Sequence, residues 1–506
     1  MRERPFHPWL LSAYAVLALL AVNLAQVHPL AALRPLVAAL AGSSLVWLAL
    51  QWGWRDGRRA AVGCSLLVAL FFSYGHVYNY LERQTSFGRH RLLLPLWLAL
   101  AAFGLWWTAK RLRDLSTATL ALNVIGLAAL AFPAAQMALF GLHSLSAPPT
   151  PSGLDASLAD LHPPAESPPD VYYIILDAYT RGDILQAEFA FDNTPFLDSL
   201  SRMGFYVAEC SQSNYAQTEL SLTSALNMDY LDALGVPIIA DSQDRSPLWP
   251  LFRSNRVQQL FEQMGYRLVA FDSGFYRTQL DNADVYLSPH TGIIGGVTGF
   301  EALLTKTSAA LIFTDAATVL PRALSTDVDA AARQTLRQTI LYQLETLPSV
   351  PQDIGGHKFV FVHILAPHEP FVFGPNGEET SYGNVVDDDT YRVGYREEIE
   401  YLNQRLLAVL GEIIASSDTP PIILLQGDHG AGVTSKQGRM SILNAYYLPC
   451  GEAGLYATIS PVNSFRVVLN ACFGGHLPLR QDVSYYSVYD SPYNFYRVPP
   501  AQGCQP

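Results

Sequence analysis

Hydrophobic positions follow two textures along this chain. Over the first 140 residues they form five long blocks, at about 8–26, 33–53, 60–80, 91–109 and 117–140. Each block is roughly 19–24 residues long, close to the ~20 that a helix needs to cross ~30 Å of hydrocarbon. Arg2 and Arg4 precede the first block as in a signal peptide. Four further blocks follow directly, so it reads as a retained helix. Arg34 and Pro35 blur the start of the second. Residues 144–169 are rich in Pro, Ser and Ala, the composition of a tether. From Asp170 onward short β-rich runs alternate with helical patterns, which predicts a mostly parallel sheet covered on both faces. The chain thus divides into a five-helix membrane domain (1–143), a linker (144–169) and an α/β domain (170–506).

Composition agrees with that division. Half of the 506 residues are hydrophobic and only 15% are charged, against about 25% charged in an ordinary soluble protein. Residues 1–150 carry 12 Lys and Arg against 4 Asp and Glu, and the remainder carries 20 against 40. An acidic C-terminal part repels phosphates, which argues against nucleic acid as a partner. Around the helices, Arg2, Arg4, Arg55, Arg58, Arg59, Lys110, Arg111 and Arg113 fall on one side, and Arg34, Arg83, Arg89 and Arg91 on the other. The richer side is assigned to the cytoplasm. Five crossings then put the α/β domain outside it, whereas four would leave that domain cytoplasmic. Asn23, Ser43, Ser44 and Asn123 read as helix–helix contacts. No Asp, Glu or Lys lies within a span, which argues against a transporter or proton relay.

Four runs read as buried strands: Val171–Leu176, Tyr266–Phe271, Lys358–Leu365 and Pro421–Gln426. Each leads into a polar ligand type: Asp177, Asp272, the His363–His368 segment, and Asp428-His429. In open parallel sheets ligands bind beyond the carboxyl ends of the strands, so four such ends converging on one crevice indicate a metal-dependent site. In Gly427-Asp428-His429-Gly430 the glycines permit a sharp turn, and Asp and His offer oxygen and nitrogen ligands. Thr218 sits at a predicted helix start, where it is either a cap or a nucleophile favoured by the helix dipole and a metal. His363 and His368 flank a Pro turn. Arg181 and Arg439 follow two of these segments and are candidates for gripping phosphate oxygens. Thr390–Ser416 has helical periodicity. Residues 296–320 are unusually apolar, fitting either a cover helix or a segment lying on the membrane.

An Asp after the first strand, a Thr at a helix start some forty residues on, His-x4-His-x-Pro and Gly-Asp-His-Gly resemble, in this order, the alkaline phosphatase superfamily. The chain looks most like its sulfatase-like, membrane-anchored members, such as lipoteichoic acid synthases and lipid A phosphoethanolamine transferases. That resemblance implies an alkaline-phosphatase-like α/β/α catalytic domain outside the cytoplasm, on a multi-pass anchor in the cell membrane. It implies one divalent metal (Mn, Zn, Mg or Ca) held by Asp177, Thr218, Asp428 and His429, with Thr218 as nucleophile. His363 and His368 would contact substrate or protonate the leaving group. A second metal would draw on Asp272, His363 and His368. The implied substrate is a membrane lipid head group or an envelope polymer, cleaved or transferred at a phosphoester.

Two positions depart from the family pattern. The membrane transferases commonly have Glu where this chain has Asp177. Sulfatases mature a residue within C/S-x-P-x-R, and Cys210-Ser-Gln-Ser-Asn214 lacks both the Pro and the Arg. Thr218 is therefore the expected nucleophile, ahead of a sulfuric ester hydrolase reading or a non-catalytic, glycan- or partner-binding one. Cys210, Cys450, Cys472 and Cys504 are free to form disulfides in an oxidising compartment, Cys450 with Cys472 being the first choice. Cys64 reads as helix packing.

Overall fold

The computed structural model describes residues 4–24, 27–84, 90–145, 161–164, 168–289, 297–315, 328–380, 382, 387–501, 503 and 504. Arg2, Arg89 and most of the predicted linker lie outside them. The chain forms two compact units, Met1–Leu142 with His290–Thr335, and His143–Pro289 with Leu336–Pro506.

The first unit is built on helices α1 (His7–Val22), α2 (Leu33–Trp54), α3 (Gly57–Gln84), α4 (His90–Lys110) and α5 (Leu115–Leu145). Four of the five expected spans are long and apolar enough to cross a membrane: Pro29–Trp54, Gly57–Glu82, His90–Lys110 and Leu115–Leu142. The first block is the exception. α1 has 16 residues, or ~24 Å at 1.5 Å per residue, short of the ~30 Å core. It stops at Val22 because Asn23 caps it and turns its amide back onto the Leu19 carbonyl at 2.7 Å.

Polar side chains join these helices, as expected where apolar surface alone gives little net attraction. The Ser12 and Ser43 hydroxyls meet. Trp9 Nε1 donates to Ser44 Oγ at 2.8 Å, and Asn123 accepts from Phe6 N and donates to Arg4 O, both at 2.9 Å. Cys64 is buried and free, its Sγ 3.3 Å from Ser43 O. The apolar run after residue 296 belongs to this unit. Phe300 and Leu304 pack with Val16 and Leu20, and Leu311 with Tyr74, Tyr78 and Leu93. Glu301 pairs with Arg34 at 2.8 Å, and Ala309 N donates to Phe71 O at 2.7 Å. Gly75 permits this approach, since a Cβ there would lie 2.4 Å from Lys306 O.

The second unit is a three-layer α/β/α domain. Its strands are β1 (Val171–Leu176), β2 (Tyr206–Val207), β3 (Arg267–Phe271), β4 (Val285–Leu287), β5 (Lys358–Ile364), β6 (Ile422–Gly427) and β7 (Asn444–Tyr447), in the order β2-β7-β6-β1-β5-β3-β4. The sheet is mixed rather than purely parallel: β6, β1, β5, β3 and β4 run parallel, and β7 pairs antiparallel with both β6 and β2. A separate hairpin joins β8 (Ser484–Tyr486) to β9 (Tyr496–Val498).

Side chains alternate across a strand, and β1 splits accordingly. Tyr172, Ile174 and Leu176 enter one core, with Tyr395, Ile399 and Leu406 of helix Asp388–Ser416. Val171, Tyr173 and Ile175 enter the other, with Leu222 and Leu226 of helix Thr218–Asn227 and Phe465 of helix Pro461–Cys472. Burial on both faces is why the central strands read as unbroken apolar runs.

Cys450 pairs with Cys472, and Cys210 pairs with Cys504 across 294 residues. Breaking the long-range bond with Cys210→Ser is expected to lower stability by about 2–4 kcal/mol. Thermal melts of the oxidised full chain check this, and unchanged midpoints would count against the pairing.

Candidate active site

Register assembles the centre. In the parallel pairing, Leu176 lies beside Ile364 on one side and Gly427 on the other, and Ile175 lies beside His363. Asp177 and Asp428 are each the next residue beyond their strand, and His363 is the penultimate residue of β5. Three neighbouring strand ends therefore deliver a carboxylate, an imidazole and a second carboxylate to one spot. Their ligand atoms lie within 4.8 Å of one another.

The turns are built for this approach. A Cβ on Gly427 would lie 2.5 Å from Tyr179 O, and one on Gly430 only 2.2 Å from Gly438 O. Only glycine lets the Gly427–Gly430 loop fold so tightly against its neighbours. Asp428 Oδ1 accepts the backbone N–H of Ala178 at 3.0 Å and of His429 at 2.9 Å. Ser213 and Ser221 donate to the Asp428 carbonyl at 2.5 and 2.7 Å.

Among the described residues, Asp177 Oδ1, Asp428 Oδ2 and His363 Nε2 are buried with no hydrogen-bond partner. Buried polar atoms are rarely left so, and three facing one point fit a cation. His363 is oriented for this role. Its Nδ1 lies 2.7 Å from Thr278 Oγ1, whose hydroxyl donates to Phe275 O at 3.2 Å. Thr278 then accepts from Nδ1–H, which leaves the Nε2 lone pair turned inward, 3.4 Å from Asp177 Oδ2. Orientation of a ligating histidine through its other nitrogen is a common device at metal centres.

The electrostatics suit a cation at this point. Burial and the Asp177 charge push the Asp428 carboxyl up to about 6. Burial works against ionised Asp177 as well, but opposing influences led by the His368 cation hold that carboxyl well below the usual range. Two carboxylates this close do not both ionise comfortably without a cation.

Thr218 opens its helix, and its Oγ1 lies 3.1 Å from His429 Nε2. His429 Nδ1 lies 3.0 Å from Gly430 O, so Nδ1 carries the proton and Nε2 presents a lone pair. That lone pair also faces Asp428 Oδ2 at 3.4 Å and Asp177 Oδ1 at 3.6 Å. Burial, and then Arg439, hold the His429 imidazole neutral, well below its ordinary pKa. Thr218 is pinned from behind. The adjoining Glu219 pairs with Arg245 at 3.2 Å and Arg277 at 3.6 Å, and Gln217 donates to Ser487 and Val488.

The sequence candidates separate here. Asp177, Thr218, Asp428, His429 and His363 come together. His363, read as a substrate contact or acid, is fully buried and joins the ligand cluster. His368 stands at the mouth, with its side chain 37% exposed and its ring 6.3 Å from that of His429. Partial burial works against its cation, but the Asp177 and Glu369 carboxylates prevail and raise its pKa.

Arg439 donates to Ala216 O and Gly430 O and brings Nη2 to 3.2 Å from His429 Nε2. Arg181 is spent elsewhere: it is buried, grips Asp183 through Nε and Nη2 at 2.7 Å, and donates to Ser211 O. Each of its guanidinium nitrogens already has a protein partner, and its burial keeps the remaining N–H groups away from substrate in this arrangement. Asp272 likewise accepts from Gln279, Gly274 and Ser288, so it is no ready ligand for a second metal.

Thr278, Ser213 and Ser221 carry no signal in the sequence, because the partners they support lie 85 to 215 residues away. Replacing Thr278 with Val is expected to weaken metal binding about 10–100-fold while the fold holds. Competition with a chromophoric chelator reads this, and unchanged affinity would remove Thr278 from the support of His363.

No protein-family model matches the chain, and no curated protein matches it. Solved structures do. The C-terminal periplasmic domain of EptC from Escherichia coli, in complex with Zn, is 12% identical, with 66% of this chain and 93% of that chain covered and a TM-score of 0.44. The integral membrane lipooligosaccharide phosphoethanolamine transferase A of Neisseria meningitidis is 11% identical, with 92% and 95% covered and a TM-score of 0.40. The lipoteichoic acid synthase LtaP of Listeria monocytogenes is 10% identical, with 63% and 77% covered and a TM-score of 0.39.

Proposed function

We propose that α1, short as it is, completes a fifth crossing beside the four long spans, and that this protein is a metal-dependent phosphoester transferase or hydrolase, working outside the cytoplasm on a membrane lipid head group or envelope polymer. One observation carries the reading: three unpartnered ligand atoms, from Asp177, His363 and Asp428, face one point beside a hydroxyl at a helix N-terminus. Those residues suit a divalent cation of the zinc or manganese type, with His429 at its edge. When bound, such a cation supplies Lewis-acid charge to the attacking and non-bridging oxygens.

The remaining chemistry belongs to the chain. The Thr218 hydroxyl sits at the positive end of its helix dipole, which favours the oxyanion. Its proton lies within reach of His429 Nε2. Thr218 Oγ attacks phosphorus, and the bond to the leaving oxygen breaks. His368, half-exposed at the mouth, gives that oxygen a proton. A phosphothreonine diester or monoester remains on Thr218, which water or an acceptor hydroxyl then displaces. Arg439, which is only half-buried, keeps a second N–H on each of Nη1 and Nη2 and is the candidate to bind a non-bridging phosphate oxygen.

The full chain in detergent, stripped with chelator and reloaded with Mn, Zn or Mg, tests this against bis-aryl phosphate, aryl phosphate and aryl sulfate. Phosphoester cleavage restored by metal is expected. Cleavage of the sulfate alone would overturn the chemistry, and absence of both turnover and bound metal would leave a binding protein.

A further inference from the structure

The strongest unassigned feature belongs to the helical unit and lies at its cation-rich end. A cavity of ≈ 510 Å³ opens there, lined by Pro5, Trp47, Asp56, Gly57, Arg58 and Leu115. Its walls come from the approaches to α1, α3 and α5 and from the last turns of α2. We infer that this cavity binds the phosphate of a membrane phospholipid, with Arg58 as the gripping group.

The wall is rigid. Trp47 Nε1 donates to Gly57 O at 3.1 Å, and its ring stacks edgewise on Trp9 at 5.5 Å. The neighbouring charges are already committed. Asp56 Oδ1 caps α3 by accepting from Arg58 N and Arg59 N, and its other oxygen lies 3.6 Å from Arg59 Nε. Arg59 Nη1 donates to the Thr108 and Ala109 carbonyls, closing the end of α4. Among the described residues, the Arg58 guanidinium takes no acceptor, although Arg58 is half-buried on the cavity wall. Arg55, Lys110, Arg111 and Arg113 add positive charge at the same helix ends.

A guanidinium fork matches a phosphodiester, and basic pockets between membrane helices on the cytoplasmic side hold lipid head groups. The apolar half of the lining favours a lipid over a free anion. Trp47, Pro5 and Leu115 offer no hydrogen bonds to a small polar ion, but they suit the glycerol and first methylenes next to a head group.

The test uses the full chain, delipidated in detergent and examined by native mass spectrometry with phosphatidylglycerol, phosphatidylcholine or inorganic phosphate. One saturable lipid adduct per chain is expected. Arg58→Gln should weaken it about tenfold, the scale of one charged hydrogen bond, and Arg58→Lys should retain part of it. Arg113→Gln, at the same end but off the wall, should change it less than twofold. Equal binding of the two lipids with the same Arg58 dependence supports a site that reads the phosphodiester. Equal losses in the Arg58→Gln and Arg113→Gln variants would overturn the inference in favour of diffuse attraction. So would the absence of a saturable adduct, or displacement by inorganic phosphate at matching concentration.

Discussion

Thr218→Ala should yield a folded, metal-loaded protein with turnover reduced on the order of 10³-fold or more, as when a covalent nucleophile is removed. The size follows from the arrangement. Thr218 Oγ1 is the hydroxyl within hydrogen-bonding reach of His429 Nε2 in the crevice. Its backbone is fixed by the helix it opens and by the Glu219 pairs with Arg245 and Arg277. Losing one hydroxyl and one methyl from a half-exposed position leaves the sheet and the Asp177–His363–Asp428 cluster untouched, so metal content is expected to hold. Thr218→Ser keeps the oxygen and should keep a substantial part of the rate. Metal analysis beside steady-state turnover separates the cases. Full activity in the Ala variant would remove Thr218 as nucleophile, whereas joint loss of metal and activity would recast it as a ligand.

Asp428→Asn carries the second large effect, and its stability sign is opposite to its activity sign. Asn keeps an oxygen for the Ala178 and Asp428-neighbouring His429 backbone donors but loses the charge that a cation requires. Metal binding and turnover should both collapse. Without metal, however, the wild-type Asp428 carboxyl is pushed up to about 6 by burial and by Asp177, above its unfolded value of about 3.9. Folding therefore disfavours its ionised form. That cost is absent below about pH 4, grows through about pH 6 and is complete above it, reaching about 3 kcal/mol at most. The Asn variant escapes it, and its amide faces the otherwise unpartnered Asp177 Oδ1 and His363 Nε2. At pH 8 in chelator the variant should melt higher than the wild type, and on adding metal the order should reverse. A variant that still gains stability from metal as the wild type does would show that Asp428 is not a ligand.

What the sequence revealed follows from burial. β1, β5 and β6 are covered on both faces, so their apolar runs stand out, and the residues at their ends form the Asp177–His363–Asp428 cluster. β2, with two residues, and β7, with four, are too short to leave a pattern, and with them went the antiparallel edge. Asp177, Asp428 and Thr218 were legible because each begins or ends an element. His363 was legible as a substrate contact, an acid or a ligand of a second metal, but not as a neighbour of Asp177 and Asp428 in one cluster, since its orientation depends on Thr278, 85 residues away. Arg181 looked free because nothing in a strand-end motif reveals that Asp183, two residues on, takes its guanidinium. The first apolar block ran on past the point where Asn23 stops the helix.

The return of residues 297–315 to the helical unit also constrains the order of synthesis. β5 lies between β1 and β3 in the sheet, yet it follows this excursion in the chain. The ribosome, adding about 5–20 residues per second, thus delivers Phe300 and Leu311 before the strand that completes the sheet's centre. Nascent β1 and β3 must wait, unpaired with each other, while that segment emerges. A fragment cut to begin at the α/β unit inherits Phe300, Leu304 and Leu311 without Val16, Leu20 and Tyr74, their packing partners. Such a fragment is expected to be sticky on expression, which makes the intact chain in detergent or lipid the better preparation.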